Sequence, residues 1–311
     1  MSIFGKKEEP KKNNPVPGKP LKEMTFTERL VENVKSFGWA LCVYYITITF
    51  VVQNFTIPTG SMEVSLLPGD FIFANKFIYG AKSPENIPFT DIKLPQFQLP
   101  AFKEPQQGDV VVFRFPHPEM MPSQNGLDYI KRCVAAPGQT LYVRNKVLFV
   151  DGEALSVKFD LPGVHFDPYE RSEGQVFPRH MGSGDNFGPF RVPKKGDQIE
   201  LNLTNYELVR YLSLRDGKKL EMRGGEWTVD GVKSTYYTVG QDYFFMMGDN
   251  RDNSLDSRYW GPVPRSHIAG QGMLVYWSNT DAAKQSSIPM KVLMMFNFFS
   301  VKWHRIGTII R

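Results

Sequence analysis

The 311-residue sequence predicts a mainly β domain that carries an inserted β subdomain and is preceded by one transmembrane α-helix. Three observations carry that expectation. From Ser36 to Met62 there are 27 consecutive residues without a charge. Beyond them, short runs of β-branched and aromatic residues alternate with Pro and Gly turns. Little of the remaining chain has helical periodicity. With 41% hydrophobic and 22% charged residues, the composition excludes a disordered tail protein, a collagen or a coiled coil, and the length suits one or two domains.

The elements follow in order. Residues 1–35 form a Lys/Pro/Asn-rich tail. Residues 36–57 form the anchor, since the 21 residues from Phe37 to Ile57 would reach about 30 Å as a helix, the thickness of a hydrocarbon core. The rival reading is a cleavable signal peptide, whose apolar region is about 7–15 residues and ends at a small-x-small site. This run is longer and ends in Asn54-Phe55-Thr56-Ile57-Pro58, so an uncleaved anchor is expected. Eight Lys/Arg against five Asp/Glu fall in the first 36 residues, while only Lys76 and Lys82 follow in the 30 residues after the span. The positive-inside rule then puts the amino terminus in the cytoplasm and the rest outside. Because most of the net charge of +5 sits in that tail, no basic face for nucleic acid is implied. Cys42 and Cys133 are too few for a disulfide scaffold.

Strands are expected at Phe71 to Tyr79, Asp109 to Phe115, Tyr129 to Ala135, Thr140 to Val150, Tyr243 to Met247 and Met273 to Trp277. Pro68-Gly69-Asp70, Pro137-Gly138 and Asp151-Gly152 are expected turns. These divide the outer part into a first core portion at 58–155, an inserted subdomain at 156–239 with a hairpin about Asp230-Gly231, and a second core portion at 240–311. The ten charge-free residues Val292 to Val301 are too few to span. They read as a buried strand or as an apolar surface resting on the membrane.

Metal and nucleotide chemistries have no foothold. There is no H-E-x-x-H, Cys-x-x-Cys, P-loop or G-x-S-x-G elbow, and the five histidines are scattered. No cofactor and no metal is expected. Three segments stand out instead. Ser61 follows Gly60 in a turn just beyond the span; in isolation it is an ordinary turn serine, and as a nucleophile it needs a base. Lys131 lies in the strand pattern Asp128-Tyr129-Ile130-Lys131-Arg132-Cys133; a solvated lysine, with a pKa of about 10.4, is charged and cannot serve as one. Burial among apolar groups would lower that value. Gly248 to Gly261, rich in Asp, Asn and Ser, is either a plain polar loop or one that holds another site in place.

Taken together these segments resemble the bacterial type I signal peptidases, the Ser/Lys leader peptidases. The serine box is Ser61-Met62-Glu63-Val64-Ser65-Leu66, followed by PGDFIFANKFIYG; the G-D-V-V-V-F strand is Gly108 to Phe113; the Y-I-K-R box runs from Tyr129 to Gly138; and the G-D-N-x-x-x-S-x-D-S-R-x-x-G box is complete at Gly248 to Gly261. The departure is at Val64 and Ser65, where the family has Pro and Thr. This bears on local rigidity and substrate preference.

The resemblance implies a signal-peptidase-type catalytic domain with Ser61 as nucleophile and Lys131 as general base. It implies Ser254 orienting the amine, and an oxyanion hole made of the Ser61 N–H and the Thr59 hydroxyl. Asp256 and Arg258 would be an ion pair supporting the third box, with Arg132 alongside and Asp249 in the same scaffold. Ile57, Pro58, Met62, Leu66, Tyr129 and Ile130 would line shallow apolar pockets for the small residues of a signal peptide. The substrates implied are signal-peptide-bearing preproteins, bound extended against an exposed sheet edge, with membrane lipid as the other partner. A self-cleaving repressor shares the Ser/Lys chemistry but carries a DNA-binding module, where this chain has a tail and an anchor. A non-catalytic anchored β protein that binds preproteins is the alternative from another class, and Val64 is the only motif feature that points to it.

Overall fold

The computed structural model describes residues 25–63, 65–84, 86, 90–95, 97–155, 176–283, 294–295 and 297–310. They fall into two compact units, one ending at Thr47 and the other running from Ile48. The first is dominated by helix α1, Phe26–Ile46. Its start is a capping box: the Thr25 hydroxyl accepts from Glu28 N, and the Glu28 carboxylate accepts from Thr25 N at 2.9 Å. A π-helical stretch, Thr47–Val51, follows it in the chain. Together they give a 26-residue helix, Phe26–Val51, long and apolar enough to cross a membrane.

The helix therefore begins ten residues before the expected anchor and ends six before its expected limit. The early start comes from the Thr25-x-x-Glu28 cap, which charge-counting overlooks. The early end comes from pairing, because residues 52–56 are drawn into a sheet.

The second unit contains, in chain order, strands β1 (Val52–Thr56), β2 (Asp70–Asn75), β3 (Val110–Arg114), β4 (Asp128–Ala135), β5 (Thr140–Arg144), β6 (Val147–Val150), β7 (Glu153–Ala154), β8 (Phe187–Arg191) and β9 (Gln198–Glu200). Helix α2 (Tyr206–Arg215) follows, then β10 (Leu220–Arg223), β11 (Glu226–Val229), β12 (Val232–Lys233), β13 (Tyr236–Thr238), β14 (Tyr243–Met247), the short helix α3 (Ser257–Trp260), β15 (Val263–Pro264) and β16 (Ile268–Ser278). A seven-stranded antiparallel sheet has the order β1-β2-β16-β3-β4-β14-β15, and a four-stranded sheet the order β7-β6-β5-β8. Runs such as Val110-Val111-Val112-Phe113 and Tyr243-Phe244-Phe245-Met246-Met247 suit strands buried on both faces, and β14 is buried at every position.

Three sequence expectations change here. Thr140 to Val150 is two strands, not one, because Asn145 and Lys146 both take positive φ, 47° and 68°, and make a hairpin turn. Phe71 to Tyr79 ends as a strand at Asn75 and turns 3-10 helical at Phe77–Tyr79. Of Val292 to Val301, positions 292, 293 and 296 lie outside the described residues. Phe298–Ser300 is a 3-10 turn with Phe298 and Phe299 exposed, and only Val301 bridges to the sheet, at Asn279.

Three hydrophobic clusters hold the unit. One lies under the turn that carries Ser61: Ile57, Met62, Leu66, Ile72, Val110 and Val275. A second packs β3, β4 and β14 around the fully buried Trp260. The largest joins Val134, Leu141 and Val150 to Val176, Phe187, Val209, Leu212 and Phe245, so residues from 176–239 share one core with those on either side. Within 156–239, residues 156–175 lie outside the description, and α2 is a helix where strands were expected.

The chain's later residues also strap the serine region. Arg305 reaches the buried Asp70 carboxylate at 2.6 Å and the Ser65 carbonyl at 2.8 Å, while Ser278 Oγ and Leu67 N donate to the same carboxylate. Replacing Asp70 by Ala leaves Arg305 and these donors without their acceptor, and should cost about 3 kcal/mol. A denaturant melt of the full chain in detergent checks it; a variant as stable as the parent would show that the strap is dispensable.

Candidate active site

Strand β1 delivers the chain to the serine turn. Ile57 N donates to Asp70 O and Gly69 N donates to Ile57 O, which extends the β1–β2 pairing to the edge of the turn. A 3-10 turn, Gly60–Met62, follows. Met62 is wholly buried in the cluster below, which turns the adjacent Ser61 towards solvent.

On β4, side chains alternate. Ile130 packs into the cluster under Ser61, while Tyr129 and Cys133 pack against the Trp260 cluster. Lys131 lies 3% exposed, its Nζ donating to Ser61 Oγ at 2.6 Å and to Ile130 O at 3.0 Å, with the Tyr129 ring 5.5 Å away. Burial pushes its pKa down to about 8, against the opposing pull of the Asp256 and Asp249 carboxylates. The amine is thus half neutral near pH 8, close to the serine hydroxyl whose proton it would take. That arrangement suits nucleophilic attack with a lysine base.

Both groups open on a cleft of about 570 Å³ lined on one side by Phe55, Thr56, Ile57 and Pro58 and on the other by Asp128, Tyr129 and Ile130. β1 is first and β4 fifth in the strand order, so the sheet curls to bring them together. The pairing of β14 with β4 covers Arg132, Cys133 and Ala135. Among the described residues, Asp128–Lys131 has no strand on that side. The cleft therefore runs between two unpaired sheet edges.

The third segment closes the site from above. Asp256 and Arg258 form a bidentate buried pair, with Nε–Oδ1 and Nη2–Oδ2 both at 2.9 Å. Burial pushes the Asp256 carboxyl up, but the Arg258 guanidinium and the donor Gly248 N outweigh it, so the group stays below its usual range. Arg132 belongs to a second buried pair in the same cluster. It makes its own bidentate bridge to Asp249, at 2.8 and 2.7 Å, and also donates to Gly108 O and Ser65 Oγ. Ser65 thus keeps a use for the hydroxyl at that position; Val64 lies outside the described residues.

The other expected site residues divide. Thr59 is exposed in the cleft wall at the cap of the serine turn, its side chain making no capping bond. Ser254 is fully buried beside the cleft, and among the described residues its Oγ forms no well-shaped hydrogen bond to Lys131 or any other group. Ile57, Pro58, Met62, Tyr129 and Ile130 line the cleft. Leu66 does not: it is fully buried beneath, in the cluster that supports Met62.

Sequence reasoning missed three contributors. Asn250 clamps the serine turn, its N donating to Ser61 O and its Nδ2 to Gly60 O and Glu63 Oε2. Buried Arg251 donates to Gly248 O. A Cβ on Gly248 would stand 2.1 Å from Ser254 Oγ and 2.4 Å from Ser61 O, so only glycine lets the two segments approach. All three lie in the Gly248 to Gly261 box; their signal was its position, without a role for each member.

Two outcomes follow from this geometry. Gly248→Ala should lower kcat/KM by at least about a hundredfold by displacing Ser61 and Ser254, in a chain still folded by circular dichroism. Because Lys131 accepts a proton only when neutral, kcat/KM should rise with pH through a midpoint at about 8. A flat profile between about pH 6 and 9 would remove Lys131 as the base.

Comparison with known proteins gives the family. Residues 30–277 match the family model described as "Signal peptidase, peptidase S26". Signal peptidase I of Pseudomonas aeruginosa is 33% identical over 288 residues, covering 89% of this chain and 82% of its own. That of Pseudomonas fluorescens is 33% identical over 271 residues, covering 84% and 76%, and that of Haemophilus influenzae 29% identical over 271, covering 79% and 69%. A match along most of the length, on a fold where a serine faces a buried lysine, makes this chain a serine endopeptidase of the signal peptidase family, peptidase S26.

Proposed function

We propose that this chain removes amino-terminal signal peptides from exported preproteins, with Ser61 as nucleophile and Lys131 as general base. The observation that carries this reading is the 2.6 Å contact between Ser61 Oγ and a lysine amine held at 3% exposure. Neutral Lys131 takes the Ser61 proton as Oγ attacks the scissile carbonyl. The resulting ammonium, flanked by Asp249 and Asp256, then protonates the leaving amine. The acyl-enzyme is hydrolysed by water activated by the same amine. The Ser61 N–H and the Thr59 hydroxyl receive the oxyanion, a contribution of about 3 kcal/mol per donor. Ser254 stands beside the lysine as a steric and polar neighbour.

The substrate lies extended between the two free edges of β1 and β4. Ile57, Met62, Tyr129 and Ile130, apolar and close to the serine, leave room for small side chains next to the scissile bond. The apolar helix Phe26–Val51 anchors the chain, with its basic amino-terminal tail in the cytoplasm and the catalytic unit on the outer face of the plasma membrane. Only a short strand and turn separate Val51 from Ser61, which suits a bond cut where a signal peptide's own apolar segment ends.

Full-length Ser61→Ala and Lys131→Ala, purified in detergent and given a preprotein with an A-x-A site, should each show no cleavage product on a gel. Turnover retained in either variant would refute these roles, and binding without hydrolysis by the unaltered chain would refute the enzymatic reading.

A further inference from the structure

Lys146 occupies a position that its residue type disfavours. It is the second residue of the two-residue turn between β5 and β6, at φ 68°, where the left-handed backbone favours glycine. Its side chain nevertheless folds back, 20% exposed, and places Nζ 3.0 Å from Asp252 Oδ1 and 3.8 Å from Asp185 Oδ2. The two carboxylates belong to different parts of the chain. Asp185 sits just before β8 in the four-stranded sheet, and Lys146 N also donates to its carbonyl at 3.0 Å. Asp252 is the middle residue of the 3-10 turn Arg251–Asn253, and the three residues after it, Asn253, Ser254 and Leu255, line the cleft.

Two features make this tie matter for the site. Ser254 is fully buried without a well-formed hydrogen bond of its own, so its place against Ser61 is set by what grips its neighbours. On its far side the grip is the Asp256–Arg258 pair, and Arg258 Nη1 reaches Gly184 O at 2.9 Å. On its near side the grip is Asp252 on Lys146. Both ties run to the same strip, Gly184 and Asp185. A backbone conformation unfavourable to lysine, kept in order to deliver an amine between two carboxylates, is strain with a use.

We propose that Lys146 is a positioning residue for the active-site loop Arg251–Leu255, and that through it the four-stranded sheet holds Ser254 in register with the Ser61–Lys131 pair. The proposal rests on the assignment of Ser61 and Lys131 above. Lys146 touches no reacting atom. It acts by keeping the loop closed over Lys131, whose amine meets Ser61 Oγ, the Ile130 carbonyl and the Tyr129 ring within the field of the Asp249 and Asp256 carboxylates. A loosened loop admits water to the amine, and water restores its ordinary basicity.

The experiment compares full-length wild type, Lys146→Met, Lys146→Arg, Asp252→Asn and the Met/Asn double variant in detergent, reading kcat/KM for a signal-peptide substrate across pH. Lys146→Met should lower the plateau about tenfold and move the midpoint of the rising limb to higher pH. Asp252→Asn should do the same, the double variant should be no worse than either single one, and Lys146→Arg should recover most of the activity at the wild-type midpoint. If Lys146→Met does not fold, Asp252→Asn, which leaves the Asp185 contact in place, carries the test alone. A wild-type plateau and midpoint in these variants, or strictly additive losses in the double variant, overturns the proposal whatever happens to thermal stability. Failure of the unaltered chain to cleave at all overturns the Ser61/Lys131 reading itself, and this inference with it.

Discussion

A primary amine buried within the field of two carboxylates is the constraint on which the rest of this structure turns. Lys131 could not be half deprotonated near pH 8 in water. Desolvation makes it so, and desolvation requires a wall on every side: β3 and β4 behind, the serine turn in front, and the Gly248 box above. Asp249 and Asp256 work against that outcome, since each favours the ammonium. Each carboxylate is itself held by a guanidinium, Asp249 by Arg132 and Asp256 by Arg258, whose charge opposes that field. The two buried ion pairs therefore belong to the chemistry as much as to the scaffold. They keep a rigid polar loop folded while shielding the amine from the charges it needs to avoid.

Those pairs also explain why the site is assembled from distant segments. Buried ion pairs are poor sources of net stability compared with apolar packing, but they are intolerant of partial formation. Arg132 joins β4 to Asp249, to the Gly108 carbonyl and to Ser65, so one guanidinium registers the lysine strand, the preceding turn, the serine segment and the third box. Asn250 adds a second registration, gripping the serine turn by its main chain. Gly248 permits the resulting approach by offering no side chain.

Much of this was legible in the sequence. The order of the serine turn, the lysine strand and the polar box identified the chemistry, and the alternation Tyr129-Ile130-Lys131 put the lysine on a defined face. The long apolar span was plain, although its ends were not. The Thr25–Glu28 cap overrode the charge boundary at one end, and antiparallel pairing with β2 overrode hydropathy at the other, as tertiary contacts do with local signals. Leu66 read as a pocket residue because motif proximity does not say which way a side chain points. Arg132 and Asp249 were both placed in the supporting scaffold, but their pairing across 117 positions is not readable from sequence neighbours. The Asn145-Lys146 turn escaped notice because a lysine does not advertise a left-handed backbone.

The strap from Arg305 to Asp70 and Ser65 has a consequence in time. β2 finds its second neighbour only in β16, and residues 305–310 run beside β16, with Gly307 N bonded to Val275 O and Ile310 N to Met273 O. The serine emerges early during synthesis, yet the carboxylate beneath its turn lacks its cation until some 235 further residues have followed it. Until Arg305 has been made, the turn that carries Ser61 rests on a buried carboxylate without its counter-charge.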